Sequence, residues 1–281
     1  MRRTTWLACA MLLATGLLRC AQSYGTSSSG GLTGGDAGDD AANDAPPGDD
    51  AGLDATSAPG CPSGRGPAMI RIDVAGGASF CIDATEATES QYRAFLDSAP
   101  NPSQQPALCS WNTTFTPTTV TFSNPNHPIV KTDWCDALAF CTWAGKRLCG
   151  NVADGGGLLS GDESIDPLKD EWMIACTRLG TRDYPYGPNY QPGACNDTSV
   201  DASAAVDVGS FPGCQGGYPG IFDMGGNVTE WENACEDTDG GRVCKNRGGS
   251  WVADGHCGYS SSDDWTGTSS DWGVRCCASV R

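Results

Sequence analysis

The sequence predicts an α+β domain that is poor in regular secondary structure and cross-linked by disulfides. Three observations predict it. Helix-period and strand-period runs both occur, but each is short and none repeats. The stretch from Tyr184 to Arg281 is dense in Gly, Pro, Asn and Asp, the residues of turns and loops. Fourteen of the 16 cysteines are spread through the last 221 residues with no CxxC pair among them, a disulfide pattern rather than a zinc or thioredoxin one.

The chain opens with Arg2 and Arg3, then an apolar stretch from Trp6 to Leu18 broken by Thr15 and Gly16. A basic start followed by an apolar run too short to span a bilayer is the pattern of a signal peptide, assigned to residues 1–20. Cys20 follows Leu17, Leu18 and Arg19 and resembles the acylated cysteine of a bacterial lipoprotein, although Arg19 stands where a small residue is expected. A lipid on Cys20 would attach the protein to a membrane; plain secretion is the alternative. Residues 21–60 carry seven aspartates (Asp36, Asp39, Asp40, Asp44, Asp49, Asp50 and Asp54) and no lysine or arginine. With Tyr24, Leu32 and Leu53 as the only sizeable apolar side chains, that segment buries too little surface to offset its ordering entropy. It reads as a disordered acidic tether.

Residues 61–281 are long enough for one substantial core. Seven of the 34 acids lie in the tether and three of the 17 bases in the leader. The domain therefore sets 27 acids against 14 bases, a charge of −13. Such a surface repels phosphate backbones, so no nucleic-acid partner is expected. Thr88 with Gln91 forms a capping box ahead of Tyr92, Phe95 and Leu96, which predicts a helix. Thr132 or Asp133 caps a second helix that presents Trp134, Leu138 and Cys141 on one face and ends at Gly145. A third runs from Asp170 to Leu179. Strand-like runs occur at Met69–Val74, Ala78–Ile82 and Val206–Phe211.

Four stretches then fall in a telling order: His127-Pro-Ile-Val-Lys-Thr-Asp-Trp134, Trp143-Ala-Gly-Lys-Arg-Leu148, Phe222-Asp-Met-Gly-Gly-Asn-Val-Thr-Glu-Trp231 and Arg247-Gly-Gly-Ser-Trp251. With Glu86-Ala-Thr88, Tyr184-Pro-Tyr-Gly187 and Gly273-Val-Arg275 they resemble the formylglycine-generating enzyme, or sulfatase-modifying-factor, domain family over about residues 68–281. The resemblance implies that family's fold, a compact relative of the C-type lectin fold. It does not by itself imply the reaction.

The founding enzymes oxidise a sulfatase cysteine to formylglycine with oxygen, using a copper(I) ion held by two cysteines just after the Gly-Gly-Ser motif. Copper(I) wants soft thiolates. Here Ala253 falls at the first of those positions, and Cys257 arrives at the wrong spacing for the second, so copper is not expected. With only His127 and His256 in the chain, the three-histidine iron site of other relatives cannot be assembled either.

The family's structural calcium sites match better, since hard oxygen ligands are present. Asp223 and Glu230 would supply carboxylates and Gly226 and Val228 carbonyls to one site. Asn196 with the Asp197 carbonyl, and Asp201 with the Ser203 carbonyl, match the other. The resemblance further implies a bridge between Cys176 and Cys276. Cys235 with Cys244, and Cys195 with Cys214, lie close enough in sequence to close local loops.

The implied reading is an exported cell-envelope protein, either an outer-membrane lipoprotein or a free periplasmic or extracellular one. Its domain would be a non-catalytic binding or accessory module for a protein, peptide or glycan. Ser250, Asp254, His256, Asp264 and Trp265 would line a polar groove in the altered loop. The alternative is an oxidoreductase of the same family with another substrate or cofactor.

Overall fold

The computed structural model describes residues 56–74 and 76–281. The signal-peptide and lipid-anchor assignments, and nearly all of the tether, lie outside the described residues. Among those residues no helix is long and apolar enough to cross a membrane.

Two four-stranded sheets carry the domain. In the first, β1 (Met69–Asp73) and β2 (Ser79–Asp83) form a hairpin, β8 (Cys276–Ser279) adds to β2, and the two-residue β3 (Arg147–Leu148) closes the far edge. In the second, β4 (Thr229–Thr238), β5 (Gly241–Arg247) and β6 (Ser260–Asp264) form an antiparallel meander, and β7 (Trp272–Gly273) pairs parallel to β4.

The three helices start where their caps predict. Thr88 Oγ1 accepts from the Gln91 amide while the Gln91 side chain accepts from Thr88 N, opening α1 (Glu89–Asp97). Asp133 caps α2 (Trp134–Trp143) in the same reciprocal way with Asp136. Asp170 caps α3 (Glu171–Thr177), which ends two residues early because Arg178 and Leu179 are both left-handed, at φ 51° and 60°.

Two expectations fail. Val206–Phe211 is not a strand: its amides are taken up one at a time, Val206 by the Asn227 side chain, Val208 by the Asn126 carbonyl and Gly209 by Asp223. The stretch after Tyr184, read as loops, contains the whole β4–β6 meander. Its Asp239-Gly240 pair is a two-residue hairpin signal joining Thr238 to Gly241. Charged residues within the strands hid it, because Glu230, Glu232 and Arg247 are paired inside the fold rather than solvated.

β8 organises the core. Successive side chains of a strand point to opposite faces, and Cys276 and Cys277 are successive. Cys276 joins the cluster of α1 and α2 with Phe95, Phe140 and Trp231, whereas Cys277 joins that of α3 and β2 with Trp172, Ile174 and Met224.

Candidate functional site

The Gly248-Gly249-Ser250-Trp251 turn lies against the Met224–Asn227 turn. Gly248 and Gly249 are left-handed, at φ 93° and 68°, and a side chain on Gly249 would run into the Asp254 carbonyl. Only glycine lets the loop fold back this closely. Trp251 N donates to Asn227 O, Gly226 N to Gly248 O, and Ala253 N back to Ser250 O. Ala253 thus offers a methyl group at the first copper position.

Cys257 is buried and bonded to Cys176, with an S–S distance of 1.97 Å and Cα atoms 5.7 Å apart. This corrects the expected Cys176–Cys276 bridge. Cys176 faces the loop after the Gly-Gly-Ser turn, while Cys276 projects from the other face of β8 to Cys141 on α2, and Cys277 reaches Cys149. The local bridges Cys195–Cys214 and Cys235–Cys244 form as expected, and Cys61–Cys81 and Cys109–Cys135 complete seven. Every cysteine from Cys61 onward is therefore oxidised, as in a protein of an oxidising compartment. The donor set for copper(I) does not fit: the loop offers one methyl group and one disulfide sulfur where two thiolates are needed.

The residues matched to the first calcium site lie in a buried cluster of charge. Glu230 accepts from both the Arg275 Nε atom (2.8 Å) and the Trp172 indole (2.5 Å). Arg275 also donates to the Asp83 and Phe222 carbonyls. Asp223 accepts from Gly209 N, and burial pushes its carboxyl up to about 6. Glu86, which accepts from the Asn227 side chain, is fully buried; burial, then the neighbouring Asp223, holds its carboxyl well above the usual range, and its Oε2 has no hydrogen-bond partner.

Three carboxylates thus face one guanidinium, and the deficit of positive charge can be met by protons or by a hard cation. Asp223 fits such an ion. Glu230 fits less well, because Arg275 already supplies its countercharge.

At the second site the Asn196 Oδ1 is buried with no partner, as a ligand atom would be. The Asp197 side chain instead accepts from Ser199 and Tyr190, and its carbonyl accepts from Val200 N. Asp201 and Ser203 are exposed on the loop beyond. Among the described residues no group of three or more His, Cys, Asp or Glu side chains is arranged to hold a metal. Beyond the Asp223 carboxylate, both sites would therefore depend on carbonyl and amide oxygens.

The five residues expected in one groove do not share one. Ser250 is fully buried and donates to Asp271 (2.8 Å). Asp254 and His256 lie beside a tyrosine platform that sequence reasoning did not assign: the Tyr184 ring stacks on Tyr186 (5.6 Å), leans on Tyr190 (5.4 Å) and meets the His256 edge (5.0 Å). The Tyr184-Pro-Tyr186-Gly187 motif was its visible signal. Asp264 caps its own turn by accepting from Thr266. Trp265 packs between Trp111, Trp134 and Arg242.

The sequence matches the model of the sulfatase-modifying factor enzyme 1-like domain over residues 60–280. Mouse formylglycine-generating enzyme is 27% identical over 186 residues, 54% of this chain and 44% of that protein. The enzyme of Thermomonospora curvata is 34% identical over 121 residues, 38% of this chain and 33% of that protein. Mouse inactive C-alpha-formylglycine-generating enzyme 2 is 29% identical over 172 residues, 54% of this chain and 49% of that protein. The chain thus spans less than half the length of these relatives.

Two solved structures share the fold. CarF has a TM-score of 0.53 at 20% identity, covering 76% of this chain and 98% of CarF. PvdO from Pseudomonas aeruginosa has a TM-score of 0.54 at 16% identity, covering 80% of this chain and 98% of PvdO. With the family model matched across the whole disulfide-linked domain, the chain belongs to the sulfatase-modifying factor enzyme 1-like family.

Proposed function

We propose that this domain is a binding or accessory module that does not generate formylglycine. The observation that carries the reading is the Cys176–Cys257 bridge opposite Ala253, which leaves no thiolate pair after the Gly-Gly-Ser turn. That one similar mammalian protein bears the name of an inactive formylglycine-generating enzyme is compatible with it. The surface available to a protein, peptide or glycan partner is the altered loop with the Tyr184, Tyr186 and Tyr190 platform, since aromatic faces bind such ligands at low entropic cost. Attachment to the cell envelope through Cys20 belongs to the same reading. It rests on the sequence of the leader.

Calcium is part of the proposal as a structural ion. Asp223, with the carbonyls of Gly226 and Val228, would hold one ion, and Asn196 Oδ1 the other. Bound there, a divalent cation would supply the positive charge that Glu86 and Asp223 lack.

The test is incubation of the purified protein with copper(I), oxygen and a sulfatase-type cysteine peptide. Mass spectrometry should find the thiol intact. Ala253→Cys should remain inactive, because the second thiolate is still bound to Cys176. An aldehyde product from the unmodified protein would overturn the reading and favour the oxidoreductase.

A further inference from the structure

Among the described residues two arginines gather at one cleft of the acidic surface. Arg178, just past α3, and Arg182 on the next turn border a cleft of about 250 Å³ with Tyr186 and Gln215, over the backbone of Gly216 and Gly217. Carboxylates outnumber bases by 27 to 14 in this domain, so an arginine has ample choice of partner. Most take one. Arg71, Arg147, Arg242, Arg247 and Arg275 each bind an Asp or Glu, and Arg65 and Arg93 lie over aromatic rings. Among the described residues neither Arg178 nor Arg182 forms an ion pair; Arg182 spends one N–H on the Pro185 carbonyl, and Asp183 beside it is not engaged.

The cleft is built rather than incidental. Arg178 is held in the left-handed conformation that ends α3, at φ 51°. Gly217 lies so close to the helix end that a side chain would meet the Ala175 and Cys176 carbonyls at 2.5 and 3.0 Å. Cys176–Cys257 pins the last turn of α3, and Cys195–Cys214 pins the segment leading to Gln215. Tyr186 Oη accepts from Gln191 N (3.2 Å), which leaves the phenol proton to donate. The Gln215 side chain is exposed and adds amide donors.

We infer that this cleft is a binding site for a small oxyanion, a phosphate or carboxylate group carried by a small-molecule ligand. Two guanidiniums, a phenol and an amide are all donors, and guanidinium forks match the paired oxygens of such groups. The domain charge of −13 opposes the approach of any anion, so the site selects by close contact rather than by long-range attraction. The site shares Tyr186 with the aromatic platform but takes no residue from the altered copper loop, and it stands whether or not the domain retains an oxidase activity.

The test is an NMR titration of the ¹⁵N-labelled full chain with inorganic phosphate, and in a second arm with acetate, each against chloride at equal ionic strength. The amides of Gly216 and Gly217 should shift and saturate with at least one probe, and the responding arm identifies which oxyanion the site prefers. Arg178→Asn keeps a residue tolerant of the left-handed turn and should weaken binding by about tenfold, as should Arg182→Gln. Arg71→Gln, on β1, should bind as the unmodified protein does. Equal shifts in chloride alone, or unchanged affinity in Arg178→Asn, would overturn the inference; if Arg182→Gln fails to fold, the Arg178 variant decides.

Discussion

Asp170, Glu232 and Arg247 are all fully buried. Arg247 binds Glu232 and Asp170 at 2.5 and 3.1 Å, so two acids share one cation. Burial, together with Asp170, pushes the Glu232 carboxyl well above its usual range against the pull of Arg247. Its Oε1 has no hydrogen-bond partner, and the raised pKa favours the protonated acid. Glu232→Gln mimics that neutral acid and should change stability by less than about 1 kcal/mol, whereas Arg247→Met leaves two buried acids without a cation and should cost about 3–5 kcal/mol. Denaturant midpoints of the two variants check this. The Arg247-Gly-Gly-Ser motif was legible in the sequence, but what Arg247 holds was not, because Asp170 lies 77 residues away in the chain. Asp136 gives a pH prediction. Burial and the neighbouring Asp133 push it up to about 8, and burial pushes Asp133 to about 6. A carboxyl whose folded pKa is raised gives stability that is full below its unfolded value of 3.8 and is lost as pH rises toward about 8. Stability should therefore fall over that window, with a slope on the order of 1 kcal/mol per pH unit. Asp136→Asn, which imitates the protonated form and can still pair with Asn112, should flatten the fall in a series of thermal melts.

At the level of the element, the helices were legible and the sheets were not. Caps are local: Thr88 and Gln91, or Asp133 and Asp136, announce a helix start from residues three apart. The β4–β6 meander carries Glu230, Glu232, Asp237, Arg242, Lys245 and Arg247, a composition that reads as loop until the partners of those charges are known. Disulfide pairing lies between these cases. The local Cys235–Cys244 and Cys195–Cys214 bridges follow from short separations, but the choice among Cys141, Cys149, Cys176, Cys257, Cys276 and Cys277 depends on which face of β8 each thiol meets. Peptide mapping without reductant should recover Cys176–Cys257, Cys141–Cys276 and Cys149–Cys277. Recovery of Cys176 joined to Cys276 would contradict the fold described here. Cys176–Cys257 closes a separation of 81 residues, so replacing both cysteines by serine should cost about 4 kcal/mol without creating a copper site.

At the scale of the molecule, most of the buried charge lies where the two sheets and α3 meet, and that is where an ion would act on stability. If calcium binds with Asp223, saturating calcium should raise the melting temperature above that in chelator by mass action. Asp223→Asn should lose most of that rise while keeping the Glu230–Arg275 pair. Identical melting curves in calcium and chelator would remove the ion from the account. The sequence by itself determined the class of the molecule: an acidic, cysteine-rich α+β domain, its helix starts, its family motifs in order, and Ala253 where a copper ligand would stand. Those features are local, written within a few residues of each other. Only the tertiary structure decided which thiols pair, that Glu230 already has Arg275 as its countercharge, that Asp254 and His256 are parted from Asp264 and Trp265, and that two arginines meet in one cleft. Each of these is a contact between distant segments, and an isolated sequence does not record which of its many charges and thiols the packing of sheets and helices will bring face to face.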